Sequence, residues 1–268
     1  MNIRARWLAA IVLPLIAVTV PASAAGVRDP GSPTILITGS NRGVGLALTE
    51  EYASKGWNVI ATCRTPRKAA ELKALAAANP KILIEELDVT QPRQIKRIAA
   101  RYRGVPIDVL FNNAGWLGTP LENQQFGNFD QKLFDEVMET NVLGPLQLSE
   151  ALVANVEASQ QKKIIGMTSG LGSLTLMGRM SRFYYYQMSK AALNMGMRAM
   201  RNDLQGRGII VALVAPGMVE TDMLEDSGYS GKALKPAESA AGLYKLVAEL
   251  TIQDKGLPVN VDGKVIPW

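Results

Sequence analysis

Histidine is absent from the 268 residues, and cysteine occurs once, as Cys63. Without histidine there is no Ser-His-Asp triad, no Cys-His pair and no His-ligated zinc; one thiol supports neither a disulfide framework nor a multi-thiolate site, so no metal is expected. Acid-base chemistry must fall to Tyr, Lys, Asp or Glu. Aromatic residues are 6% of the chain and charged residues 20%, against 47% hydrophobic, a balance that supports a substantial core and excludes disordered or collagen-like chains. The net charge is +5, but Lys and Arg are scattered, with no tract suited to tracking a nucleic-acid backbone. A small anionic ligand fits this better than DNA or RNA.

Met1 to Ala25 departs from the rest. Arg4 and Arg6 are its only charges, Trp7 to Val20 is apolar around Pro14, and Ala22-Ser23-Ala24 offers small residues at A-x-A spacing. That is the layout of a secretory signal peptide, with an apolar run short for a membrane span. Residues 1–24 are therefore read as a segment that exports the protein, to a periplasm or the exterior, or anchors it. A cytoplasmic protein with an upstream start codon is the competing reading.

From residue 33 to 268 short β-branched runs alternate with segments of helical period. Strands are expected at 34–38, 58–62, 82–84, 108–111, 164–167 and 209–214, with a seventh at 258–261, and helices at 45–55, 66–78, 92–102, 132–158, 186–206 and 236–250. Apolar strands separated by helices indicate one doubly wound α/β domain of the Rossmann type, a parallel sheet of about seven strands with helices on both faces. The irregular stretch 222–235 reads as a mobile lid.

Directly after the first strand stands Thr38-Gly39-Ser40-Asn41-Arg42-Gly43-Val44-Gly45, opening a helix. Glycines permit the tight turn and close approach of backbone to a pyrophosphate, while free N–H groups and the helix dipole supply positive field. The end of the second strand chooses the cofactor. An acidic side chain there would hold a ribose 2′-hydroxyl and repel a 2′-phosphate, but this chain has Cys63 followed by Arg64. Arg64 and Arg42 together suit a phosphate, and NADP(H) is expected.

Tyr186-Gln187-Met188-Ser189-Lys190 places Tyr and Lys four apart, on one helix face, so that the ammonium can favour the phenolate and draw its pKa down. Tyr184 and Tyr185 have Met188 and Ser189 at that spacing and gain nothing from it.

The T-G-x-x-x-G-x-G turn, Asn112-Asn113-Ala114-Gly115, the Tyr186/Lys190 pair and Pro216-Gly217-Met218-Val219-Glu220-Thr221 follow in one order, and over residues 33 to 268 the chain resembles the short-chain dehydrogenase/reductase family. The resemblance implies adenine contact by Asp88 and Val89, backbone passing beside the cofactor at Asn113, Ala114 and Gly115, and a hold on the nicotinamide carboxamide by Pro216, Gly217, Val219 and Thr221. It also implies a catalytic tetrad: Asn141 supporting a proton relay, Ser169 bonding the substrate carbonyl oxygen, Tyr186 as acid or base, and Lys190 binding the ribose. Ser169 is preferred over Thr168, Ser173 and Ser181.

Ser169 to Tyr186 spans 17 residues, longer than the commonest family spacing. With Ala61-Thr62-Cys63-Arg64 and the ending Val261 to Trp268, this is similar to the sniffer-like and C-factor-like carbonyl reductases. The expected activity is NADP(H)-dependent hydride transfer to or from the carbonyl or alcohol of a small aldehyde, ketone or quinone. The alternatives are an NADP-binding regulator without turnover and an oxidising hydroxysteroid-type dehydrogenase. The resemblance further implies a homodimer or homotetramer built on the two long helices, with Met195 and Met200 as apolar interface residues.

Overall fold

The computed structural model describes residues 29–178 and 182–268, so the leader-like segment and Ser181 lie outside the described residues. Seven strands form one parallel sheet: β1 (Thr34–Thr38), β2 (Asn58–Cys63), β3 (Ile82–Glu86), β4 (Val109–Asn112), β7 (Lys163–Met167), β8 (Ile210–Ala215) and β9 (Val259–Asn260). Their order is β3-β2-β1-β4-β7-β8-β9. A separate antiparallel hairpin, β5 (Gln124–Gln125) and β6 (Asn128–Phe129), follows β4 and has no counterpart in the sequence expectation.

Alternation along each strand divides the core. Ile35, Ile37, Val109, Phe111, Ile165 and Val214 enter one apolar layer with α1 (Gly43–Ser54), α2 (Ala70–Ala78) and α8 (Pro236–Glu249). Leu36, Leu110, Ile164 and Leu213 enter the other, with α3 (Pro92–Arg101), α5 (Gly144–Glu157) and α6 (Tyr184–Leu204). Burial on both faces is why these strands read as continuous apolar runs. From β1 the chain winds outward through β2 and β3, then returns to add β4 on the opposite side. The crevice outside the carboxyl ends of β1 and β4 is the switch point where such sheets take ligands.

Several expectations need correction. The helix expected over 132–158 is three pieces: α4 (Gln131–Met138), a π-helical turn at Glu139–Leu143 in which Gly144 N–H donates to the Glu139 carbonyl, and α5. Pro145 explains the break, since it has no N–H to give the carbonyl of Asn141 four residues earlier. The helix expected over 66–78 starts as a 3₁₀ turn, Pro66–Lys68; Ala69 leaves helical geometry at ψ 72° and drops into the core before α2 begins. The stretch 222–235 is not irregular throughout: α7 (Asp222–Asp226) opens it and a bridge between Val219 and Leu234 ties its base. Met200 packs against the second apolar layer, whereas Met195 is 70% exposed. Among the described residues no helix is long and apolar enough to cross a membrane.

Asp108, just before β4, ties β1 to the loop before β7. One carboxylate oxygen accepts from Thr34 N–H at 2.9 Å, the other from Gln160 and Gln161 N–H at 3.2 Å each. Asp108→Ala strands these donors and should lower unfolding free energy by roughly 2–3 kcal/mol, read as a lower denaturant midpoint with unchanged slope.

Candidate active site

A cleft of about 960 Å³ opens at the switch point. Its floor begins where β1 meets β4. Thr38 Oγ1 accepts from Asn113 N–H at 3.0 Å and Ala114 N–H at 2.9 Å, and Asn113 Nδ2 donates back to the carbonyls of Thr38 and Gly39 at 2.8 and 3.3 Å. Above this lies the glycine turn. Gly39 has φ +69°, and a Cβ on Gly45 would fall 2.1 Å from the Gly39 carbonyl oxygen, so both positions demand glycine.

The N-terminus of α1 faces the cleft through Arg42, Gly43, Val44 and Gly45, and it carries neither a side-chain cap nor an acid in its first turn. Its free amides and helix dipole therefore suit an anion. Gly39 and Asn41 also line the cleft, but Ser40 does not. It is fully buried, donating its hydroxyl to Ile37 O and its N–H to Thr62 O, which gives it a role inside the turn.

The two arginines expected at the phosphate part company. Arg42 Nη1 is 2.5 Å from Asp222 Oδ2, across the mouth of the cleft, while Arg64 pairs with no carboxylate among the described residues. Lys68, unremarked in the sequence because it sits in a turn after the strand, lines the same wall as Arg64. Asp88 and Val89 line the cleft; Asp88 Oδ1 accepts from the N–H and hydroxyl of Thr90, an Asx turn rather than a helix cap. Pro216 and Thr221 also line it. Val219 is buried, and Gly217, at φ +79°, turns the chain between them. Thr221 caps α7, accepting from Leu224 N–H.

At the inner end, Asn141 is fully buried in the π-helical turn. Its Oδ1 accepts from Trp116 N–H at 2.8 Å, and its Nδ2 donates to Trp116 O at 2.8 Å and Ser189 Oγ at 2.9 Å. Ser189 in turn donates to the Tyr186 carbonyl at 2.8 Å. The Asn141 side chain thus works as a clamp between α6 and the loop after β4. Ser189 and Trp116 were not singled out by sequence, since neither carries chemistry of its own.

Lys190 Nζ donates to Met167 O at 2.9 Å and stands 5.5 Å from the centre of the Tyr186 ring. A Cβ on Gly115 would lie 3.4 Å from that Nζ, so the glycine leaves the ammonium room. Thr168 spends its hydroxyl on Asn194 Oδ1 at 2.6 Å, and Ser173 is buried; Ser169 is the serine beside the Tyr186 phenol. Tyr185 points into a different cluster with Leu133 and Val137, and only Tyr186 joins Leu117 and Phe183 next to Leu121, Leu171 and Met223.

Lys190 does not lower the phenol's pKa in this arrangement. Burial pushes Tyr186 up to about 12, with Ser169 alone pulling the other way, and burial pushes Lys190 down to about 8. Burial dominates because both groups lie in the same dry pocket, where desolvation penalises each charge.

A family model described as short chain dehydrogenase matches residues 33–230. The chain belongs to that family. A 1-hydroxy-2-glutathionyl-2-methyl-3-butene dehydrogenase of Rhodococcus is 33% identical over 242 residues, 88% of this chain and 99% of that protein. Among solved structures, the NADPH-bound carbonyl reductase from chicken fatty liver is 32% identical with a TM-score of 0.80, covering 88% of this chain and 99% of that one. The carbonyl reductase Sniffer of Drosophila melanogaster is 28% identical with a TM-score of 0.80, covering 88% and 100%.

The buried lysine has a measurable signature. Between pH 8 and 10 the unfolded chain keeps a proton on Lys190 that the folded protein has shed, so stability should rise with pH across that window, by up to about 3 kcal/mol. Above pH 10 the sign reverses for Tyr186, whose raised pKa makes the folded state hold the proton longer. Chemical denaturation at several pH values should show the rise in wild type and a flatter profile in Lys190→Met.

Proposed function

We propose that this short-chain dehydrogenase is an NADP(H)-dependent carbonyl reductase of small, largely apolar aldehydes, ketones or quinones. The observation that carries the reading is the placement of Tyr186: a buried phenol beside Ser169, its ring 5.5 Å from the Lys190 ammonium, lining the inner end of a cleft with the donor set for a dinucleotide. The Tyr186 ring is packed in an apolar cluster with Leu117, Leu121, Leu171, Phe183 and Met223, of which Met223 lines the cleft, and these surroundings favour an uncharged substrate.

The cofactor residues that line the cleft suit the groups they would hold. The α1 amides would take the pyrophosphate, Asp88 and Val89 the adenine, Asn113 to Gly115 and Lys190 the inner ribose, and Pro216 and Thr221 the carboxamide, with Gly217 and Val219 shaping the turn between those two. Arg64 and Lys68 take the 2′-phosphate, and Arg42 joins them if it exchanges Asp222 for phosphate. A nicotinamide held there would supply or accept the hydride. Ser169 donates a hydrogen bond to the substrate oxygen as charge develops there, and Tyr186 donates the proton. Lys190, with its pKa lowered by burial, is suited to return a proton to Tyr186. The likeness to an NADPH-bound carbonyl reductase supports reduction over the oxidising hydroxysteroid-type alternative, and the intact tetrad disfavours a binding protein without turnover.

A homodimer or homotetramer remains part of this reading, with exposed Met188 and Met195 on α6 as contact residues. Export by the leader-like residues 1–24 is likewise proposed, on their charge, apolar run and A-x-A site.

Turnover of a carbonyl panel with NADPH tests the proposal. Tyr186→Phe should abolish reduction while NADPH binding persists, and Tyr184→Phe should stay active; comparable rates in Tyr186→Phe and wild type would remove Tyr186 as the acid. Arg64→Ala forfeits a charge-assisted contact, and the KM for NADPH should rise by about tenfold or more while that for NADH hardly moves. Equal effects on both would end the phosphate assignment.

A further inference from the structure

Gln124, in the hairpin strand β5, is fully buried although it is a polar residue outside the expected site. Its side-chain oxygen accepts from Tyr185 N–H at 3.0 Å and Tyr186 N–H at 3.3 Å, while its amide nitrogen donates to Leu117 O at 2.8 Å and Gly118 O at 2.5 Å. Every hydrogen bond joins the first turn of α6 to the loop after β4.

Helix α6 needs an outside acceptor. The first N–H groups of a helix have no intrahelical partner and are usually met by a Ser, Thr, Asp or Asn cap. Phe183 occupies that position, at φ +62° and with no polar side chain, and the backbone bond from Gln187 N–H to Phe183 O leaves the amides of Tyr185 and Tyr186 still to be satisfied. Gln124 supplies what the local sequence lacks. On its other side, Leu117 packs in the same apolar cluster as the Tyr186 ring. Gly118 has φ +81° and no room for a Cβ, which would meet Val137 Cγ2 at 2.7 Å and Gln124 Nε2 at 2.9 Å. The loop is therefore held to the amide from both directions.

We propose that Gln124 is a positioning residue for carbonyl reduction: by tying the first turn of α6 to Leu117 and Gly118, it sets where the Tyr186 hydroxyl stands in the cleft. This rests on the assignment of Tyr186 as the acid. Gln124 does not line the cleft, so it acts through Tyr186 and not on substrate or cofactor. A carboxylate could accept from both N–H groups but would set its charge against two carbonyl oxygens; only a group that accepts on one side and donates on the other serves here.

Two variants separate alignment from folding. Gln124→Met keeps the length and removes all four hydrogen bonds; Gln124→Glu can donate toward Leu117 and Gly118 only when protonated. In Gln124→Met, kcat should fall by at least about tenfold while the NADPH dissociation constant, from fluorescence titration, stays within about twofold. Hydrogen exchange at the Tyr185 and Tyr186 amides should quicken in that variant. Gln124→Glu should recover kcat as pH falls, adding an ionisation absent from wild type; the titratable neighbours Tyr185, Tyr186 and Asp130 are common to both proteins and cancel. Phe126→Ser, at the exposed hairpin tip, should leave kcat unchanged. Wild-type kcat in Gln124→Met, or a wild-type pH profile in Gln124→Glu, overturns the proposal, as does failure of both to fold, which would assign Gln124 to stability alone. A wild-type protein without turnover would instead sink the carbonyl-reductase reading, while exchange at the two amides would still report on the clamp.

Discussion

The clasp between Thr38 and Asn113 fixes the place where everything else converges. Two N–H groups of the loop after β4 end on the Thr38 hydroxyl, and the Asn113 amide returns to the backbone of the glycine turn. One side of the clasp therefore positions the α1 amides, and the other leads within three residues to Trp116, which Asn141 grips by both its N–H and its carbonyl. From Asn141 the chain of contacts passes through Ser189 to the Tyr186 carbonyl. The anion-binding end and the acid-base end of the cleft are thus parts of one hydrogen-bonded frame. Parallel strands alone would not align them, because the sheet ends before either begins.

Burial gives the frame its chemistry. Tyr186 and Lys190 would behave as ordinary exposed groups at a helix surface, but both are enclosed, and desolvation drives the phenol up and the ammonium down. The two values move toward a neutral pair. A neutral phenol is a competent donor in a dry pocket, and a lysine with a lowered pKa exchanges protons readily near the working pH. Spacing four residues apart guarantees nearness, which the ring-to-ammonium distance of 5.5 Å bears out, but the sign of the effect depends on water being absent.

Much of this was legible in the sequence. The seven strands of the main sheet, their parallel arrangement, the glycine turn and the family follow from period, composition and motif, because each is encoded locally and repeatedly. What was not legible depends on partners distant in the chain. Gln124 looks like one more polar residue between two apolar segments, and only the fold brings Tyr185, Tyr186, Leu117 and Gly118 around it. Lys68 hides behind the break at Ala69, which periodicity smooths into one helix. The π-helical turn had a visible signal in Pro145, four residues after Asn141, but helical period on either side masks it. The Tyr186 pKa was misjudged because the sequence shows the neighbouring charge and not the burial.

Arg42 illustrates the same limit at the other end of the cleft. Its charge and its place in the glycine turn suggest a phosphate ligand, yet it reaches Asp222, 180 residues away, with both side chains about two-thirds exposed. An ion pair so open to solvent contributes little stability and is weakened by salt. It nevertheless spans from the N-terminus of α1 to the first turn of α7, the two elements that flank the cleft mouth, and Gly43 already lies against Thr221 at that point. A weak bond in that position costs little to exchange. In the proposed reading a 2′-phosphate, carrying more charge than a carboxylate and held by Arg64 and Lys68 as well, would compete for Arg42 on favourable terms. On that reading the same residue would hold the mouth of the cleft together in one arrangement and an anion in the other, and the exposed location that makes the ion pair weak would make both arrangements accessible.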